Sequence, residues 1–173
     1  TAKGNDVTLA DLARLCDVFY IGGTKQGALF GEAVVISNAA LAEDFRYMIK
    51  QRGGMLAKGR LLGIQFDTLF TNDVYYEISK NAINMAEKLK EILHKKGYKF
   101  FLESPTNQQF VYLNDEQLER IKGKVSYSFW EETKDGLIVR FATSWATTDE
   151  DLAMLEEILF HFTEAEKRKF FDV

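Results

Sequence analysis

Lys25 is the residue around which chemistry is most readily built. It lies in Asp17–Val35, DVFYIGGTKQGALFGEAVV, where the apolar run Val18–Ile21 ends at a Gly-Gly-Thr-Lys turn. A loop with glycines at 22, 23, 27 and 31 leads into a second apolar run, Ala33–Ile36. A lysine held at the end of a buried strand loses its proton more easily than a surface lysine, because burial disfavours the ammonium. The neutral amine is the nucleophile that forms a Schiff base with an aldehyde. The alternative is a solvated charge on a glycine-rich turn. A nucleotide-type phosphate loop fits poorly, since GGTKQG lacks the G-x-x-x-x-G-K-[ST] spacing and no helix clearly opens at the lysine.

Two further stretches carry polar residues in apolar or glycine-rich settings. Lys50–Gly59, KQRGGMLAKG, is a loop with Gly53, Gly54 and Gly59, and its nearest cations are Arg52, Lys58 and Arg60. Ile138–Trp145, IVRFATSW, reads as a strand with one arginine, Arg140, among apolar neighbours. An arginine so placed needs an anionic partner or an exposed strand face. A guanidinium fork matches a carboxylate bidentately. Pairing with Glu131 or Glu132 from an edge strand is the plainer alternative.

These three stretches, in this order, resemble the pyridoxal-phosphate-dependent threonine aldolases, within the aspartate aminotransferase fold group (fold type I). Thr24-Lys25 is similar to the family's Ser/Thr-Lys pair, and Gln26–Gly31 to the glycine-rich loop behind it. Gly53-Gly54-Met55 with Gly59 resembles the glycine loop after the next helix, and Ile138–Trp145 the C-terminal strand whose arginine holds the substrate carboxylate. The resemblance runs over nearly the whole chain. It implies a fold class of α/β type: the end of the large PLP domain followed by a small C-terminal α+β domain. It implies pyridoxal 5'-phosphate as cofactor, with Lys25 as the catalytic and anchoring lysine and Thr24 beside the phosphate or the lysine. A turn hydroxyl bonded to local backbone is the alternative for Thr24. Arg140 is implied as the α-carboxylate clamp. The family carries a basic residue just after Gly-Gly-Met that reaches the cofactor phosphate of a neighbouring subunit; Leu56 stands there, and Lys58 is favoured over Arg52 and Arg60 for that role.

The implied reaction is retro-aldol cleavage of a β-hydroxy-α-amino acid, threonine or allo-threonine, to glycine and an aldehyde. Other fold-type-I chemistries, β-elimination and transamination among them, share the fold, and fold alone does not choose. A catalytically inactive dimerisation or folding module is the alternative outside enzymes. The resemblance places residue 1 inside the family's large domain, so the main phosphate loop, the ring-stacking histidine and the ring-nitrogen aspartate are not assignable here. His94 and His161 both fall in predicted helices away from the lysine loop. The expectation is a C-terminal part, inactive alone, that works in a homodimer or homotetramer with an N-terminal segment or chain completing the large domain.

Composition agrees with this reading. Apolar residues make up 46% and charged residues 28% of 173, as in a globular core, and the net charge of −4 with mixed signs leaves no basic footprint for nucleic acid. The single cysteine, Cys16, excludes an internal disulfide and fits a reducing, cytoplasmic setting and a buried structural thiol. No apolar run approaches the roughly 20 residues of a membrane-spanning helix.

The elements that must position these residues follow from spacing. Thr8–Asp11 predicts a capped short helix to about Leu15. Val18–Ile21 and Ala33–Ile36 predict strands buried on both faces. Helices are predicted over Ala40–Gln51 and Leu61–Phe70, and a long one over Asn72–Lys96 with an apolar stripe from Tyr75 to Ile92, stopped by Gly97. Residues 1–71 would then be the incomplete large-domain portion, 72–97 the linking helix, and 98–173 the small domain. In the last, strands are predicted at Phe100–Leu102, Phe110–Leu113, Val125–Phe129 and Leu137–Thr143. Asn114 caps a helix through Ile121, and Thr148 with Asp151 opens a helix to about Lys167 that buries Leu152, Leu155, Ile158, Leu159 and Phe162.

Overall fold

A computed structural model describes residues 6–160. The described residues divide into two compact units, one up to Lys80 and one from Asn81, with the boundary inside a single long helix.

The first unit opens with helix α1, Leu9–Leu15, behind the expected capping box: Asp11 N–H donates to Thr8 Oγ1 at 3.2 Å, and Thr8 N–H to Asp11 Oδ2 at 3.0 Å. Strands β1, Val18–Gly22, and β2, Glu32–Ile36, form an antiparallel pair, with Phe19 opposite Val35 and Ile21 opposite Ala33. Burial on both faces is not found. Phe19, Ile21, Ala33 and Val35 are half-buried on one face, whereas the other presents Tyr20, 72% exposed, and Val34, 51% exposed. A two-stranded ribbon buries only the face that its own unit covers.

The expected helix at Ala40–Gln51 is broken. A 3-10 turn, Ala39–Leu41, is capped by Asn38, and helix α2 runs only over Phe45–Gln51. The break is Asp44, which takes a left-handed conformation (φ 55°) that a continuous helix excludes. Helix α3 is Arg60–Phe70, and a 3-10 turn at Thr71–Asp73, with Asn72 and Asp73 at positive φ, delays helix α4 to Val74–Lys95. Gly23, Ala28 and Leu69 are the buried residues of this unit among those described. Large side chains such as Leu29, Tyr47 and Ile64 stay exposed.

The second unit has a core of its own. Strands β3 (Phe100–Leu102), β4 (Gln108–Leu113), β5 (Ser128–Thr133) and β6 (Gly136–Ala142) form an antiparallel sheet in the order β3-β4-β6-β5. Helices α5, Asp115–Ile121, and α6, Asp149–Phe160, complete it with α4. Period-two alternation sends Gln109, Val111 and Leu113 of β4 inward, opposite Phe141, Val139 and Leu137 of β6. Val111, Leu113, Val139 and Phe141 meet Met85, Leu89 and Leu93 of α4, and Leu152 and Leu159 of α6. The stripe on α4 is therefore core, as its spacing predicts.

Strand β5 begins later than the expected Val125–Phe129. Val125 N–H still bonds to the Ile121 carbonyl, closing the turn after α5, and the strand starts where it can pair with β6. The Asn114 and Thr148 caps form as read. The end of the last predicted helix, with His161 and Phe162, lies outside the described residues.

Candidate functional site

Lys25 sits on one turn of 3-10 helix, Thr24–Gln26, directly after β1. Gln26 and Ala28 N–H both donate to the Gly23 carbonyl, and Gly27 closes the turn at φ 93°. Glycine at 23 is a packing requirement: a Cβ there would lie 2.6 Å from the Ala28 Cβ and 3.1 Å from the Phe66 ring. The loop beyond is anchored by Gln65 on α3, whose Oε1 accepts from Leu29 N–H at 2.6 Å and more weakly from Phe30 N–H. The front of the turn is anchored by Tyr75, whose hydroxyl donates to the Gly22 carbonyl at 3.0 Å while its ring stacks on Phe70. Partial burial, and secondly the neighbouring Tyr76, push the Tyr75 phenol above its ordinary pKa, so it stays a donor.

Thr24 and Lys25 are both exposed. The burial expected to favour the neutral amine is thus not supplied by the unit's own residues. What these residues supply is a fixed backbone with an accessible amine. Thr24 shares the turn with Lys25. Lys58 lies on a separate loop of the same unit, also exposed. The cleft beside that loop takes its cations from Arg46, Lys50 and Arg60, with Glu32 and Gly54–Ala57 on its walls.

Arg140 belongs to the second unit and to an interior strand, flanked by β4 and β5, so the expected edge-strand alternative is removed. It points to the sheet face opposite the core, with Phe110 across from it on β4 and Ser128 on β5. Its guanidinium is half-buried. One η nitrogen donates to Gln108 Oε1 at 3.0 Å and the other to Ser128 Oγ at 3.2 Å, while Nε is buried with no partner. No carboxylate of the described residues pairs with it. The end of the strand is pinned to α4: Thr143 Oγ1 donates to the Ala82 carbonyl at 2.6 Å, and Asn81 Nδ2 to the carbonyls of Trp145 and Thr147.

Sequence reading missed Gln65, Tyr75, Gln108 and Ser128. Each acts across 12 to 53 positions of chain, and no local spacing announces such a contact.

The described residues, a lysine turn closed by glycine on a strand end and an antiparallel α+β unit with an inner-strand arginine, form a mixed α/β segment, and this segment matches part of a fold-type-I structure. Within that class the chain matches the threonine aldolases, as a C-terminal part. It is 42% identical to Leishmania major threonine aldolase in a solved structure, with a TM-score of 0.87 over 91% of this chain and 46% of that one. It is 29% identical over 143 residues to a low specificity L-threonine aldolase of Pseudomonas aeruginosa, and 30% identical over 134 residues to one of a Pseudomonas species. These matches cover 82% and 77% of this chain, which spans about two fifths of the length of either curated relative, 40% and 38%. No family model matches the chain.

Proposed function

We propose that this chain is the part of a pyridoxal-phosphate-dependent carbon–carbon lyase that supplies the cofactor-anchoring lysine and the substrate-carboxylate clamp. The reaction is cleavage of a β-hydroxy-α-amino acid, threonine or allo-threonine, to glycine and an aldehyde. The observation that carries the reading is Lys25: an exposed amine on a glycine-closed turn, in a chain similar to a threonine aldolase structure over 91% of its length. Pyridoxal phosphate, when bound, supplies the electron sink for the bond that breaks.

Everything else is the work of protein groups. Lys25 presents its amine to the cofactor aldehyde, and the Thr24 hydroxyl lies one residue away to meet phosphate or lysine. Arg140 binds the substrate carboxylate and so orients the Cα–Cβ bond. Its charge, which no described carboxylate cancels, favours an anionic ligand. Lys58 reaches toward phosphate from the glycine loop, in an assembly of two or four copies. A further segment or chain covers the exposed face of β1 and β2, because Tyr20 and Val34 would otherwise stay in water. Alone, the chain is inactive, and the complete enzyme works in the cytoplasm.

The test is borohydride reduction of the holoenzyme followed by peptide mapping. The expected product carries the pyridoxyl group on Lys25. A label on Lys58, or on no lysine of this chain, overturns the reading.

A further inference from the structure

The Arg140 fork is held by two neutral acceptors on two different strands. Gln108 lies on β4, two residues before Phe110 on the same face of the sheet, and Phe110 is the residue paired with Arg140. Ser128 lies directly across on β5. One η nitrogen bonds to each, so the fork is held from both sides of its own strand. A flexible arginine loses side-chain freedom when it binds a carboxylate; one already held in place loses less. Aspartate or glutamate at either position would hold the fork equally well but would cancel its charge. Glutamine and serine orient it and leave the charge for a ligand. Two η N–H groups engage these acceptors and Nε is shut away from water, so an entering carboxylate meets the two remaining η N–H groups.

We propose that Gln108 and Ser128 are positioning residues for α-carboxylate recognition, acting through Arg140, and that their neutrality is as necessary as their acceptor oxygens. This rests on the reading of Arg140 as the clamp. The substrate feature they select is the carboxylate itself and not the amine or the side chain.

The experiment compares two probes on the holoenzyme: glycine, and methylamine, which is glycine without its carboxylate. Binding is followed by the cofactor's absorption spectrum. Gln108→Leu and Ser128→Ala are each expected to weaken glycine about tenfold, the effect of one charge-assisted hydrogen bond, and to leave methylamine unchanged. Ser128→Thr keeps the hydroxyl and should stay within about twofold of the parent. Gln108→Glu keeps an acceptor and should keep the fold, yet weaken glycine at least as much as Gln108→Leu, because its carboxylate occupies the fork. That variant carries the test if Gln108→Leu fails to fold. Unchanged glycine affinity in Gln108→Leu, Ser128→Ala and Gln108→Glu, beside a large loss in Arg140→Ala, overturns the positioning role and leaves the clamp standing. Equal weakening of methylamine and glycine in these variants assigns them a structural role only and also overturns it. Unchanged glycine affinity in Arg140→Ala removes the clamp and this inference together.

Discussion

Gly136 begins β6, the strand that carries Arg140, and its backbone has φ 140°, a region that side chains rarely adopt. A Cβ built there would lie 2.1 Å from the Leu113 carbonyl oxygen, 2.8 Å from Asn114 Cα and 2.9 Å from Leu113 carbonyl carbon. All three are backbone atoms, so no side chain can swing aside. Leu113 is the last residue of β4, paired with Leu137, and Asn114 is the N-cap of α5, so relief of the clash must shift a strand end or a cap. Gly136→Ala therefore incurs backbone strain of about 1–3 kcal/mol and a packing displacement of about 1–3 kcal/mol. Their sum is about 4 kcal/mol, a large share of the roughly 5–15 kcal/mol that holds a domain folded. With a urea slope of about 1.5 kcal/mol/M, the unfolding midpoint falls by about 2–3 M. The chain's two tryptophans, Trp130 and Trp145, both lie in the second unit, so tryptophan fluorescence reads that unit alone. Gly123→Ala is the matched control: Gly123 has φ 69° but nothing within 4 Å of its Cβ position, and it should lose only about 1 kcal/mol. Equal midpoints for the two variants would refute the argument that backbone contact at Gly136, and not positive φ alone, sets the cost.

Thr143→Val removes the hydroxyl that ties the end of β6 to the Ala82 carbonyl and should cost about 1 kcal/mol in the same fluorescence assay, with Thr143→Ser closer to the parent. Tyr75→Phe removes the bond to the Gly22 carbonyl and should speed amide exchange in β1 and the lysine turn; exchange equal to the parent's would show that the ring stack alone holds it. Because the folded Tyr75 pKa is raised, its contribution is complete below the phenol's ordinary pKa and is lost as pH rises through the folded value, so the exchange difference between Tyr75→Phe and the parent should shrink in strongly alkaline buffer. Asp11 runs the other way: its bonds to Thr8, and then to Arg14, hold the carboxyl below its ordinary pKa. The α1 cap is thus present above the ordinary carboxylate pKa and lost as pH falls through the folded value. An NMR titration should place the Asp11 midpoint below that of a free aspartate, and Thr8→Val should move it back up.

Local chemistry made much of this protein legible in its sequence. Thr8-x-x-Asp11, Asn114-x-x-Gln117 and Thr148-x-x-Asp151 are four-residue patterns whose side chains close on their own backbone, so they form wherever the chain turns helical. The α4 stripe and the alternation in β4 and β6 follow from the 3.6 and 2.0 periods, which need no knowledge of distant residues. The ordered landmarks at Lys25, Gly53–Met55 and Arg140 likewise pointed to the threonine aldolases, and similarity over most of the chain agrees. The break at Asp44 was hidden because one residue in a left-handed well ends a helix that the apolar spacing alone would continue. Burial of β1 and β2 on both faces is not found among the described residues, because apolar composition states what a strand could bury, and only the packed structure states what its own unit covers. Lys25 could be picked out by its glycines, yet its anchors, Gln65 and Tyr75, lie 36 and 53 positions from the backbone they hold. Arg140 could be picked out as an arginine among apolar neighbours. That two neutral side chains on the flanking strands orient it, with no described carboxylate in the way, was decided by strand order and register, which join residues 32 and 12 positions apart.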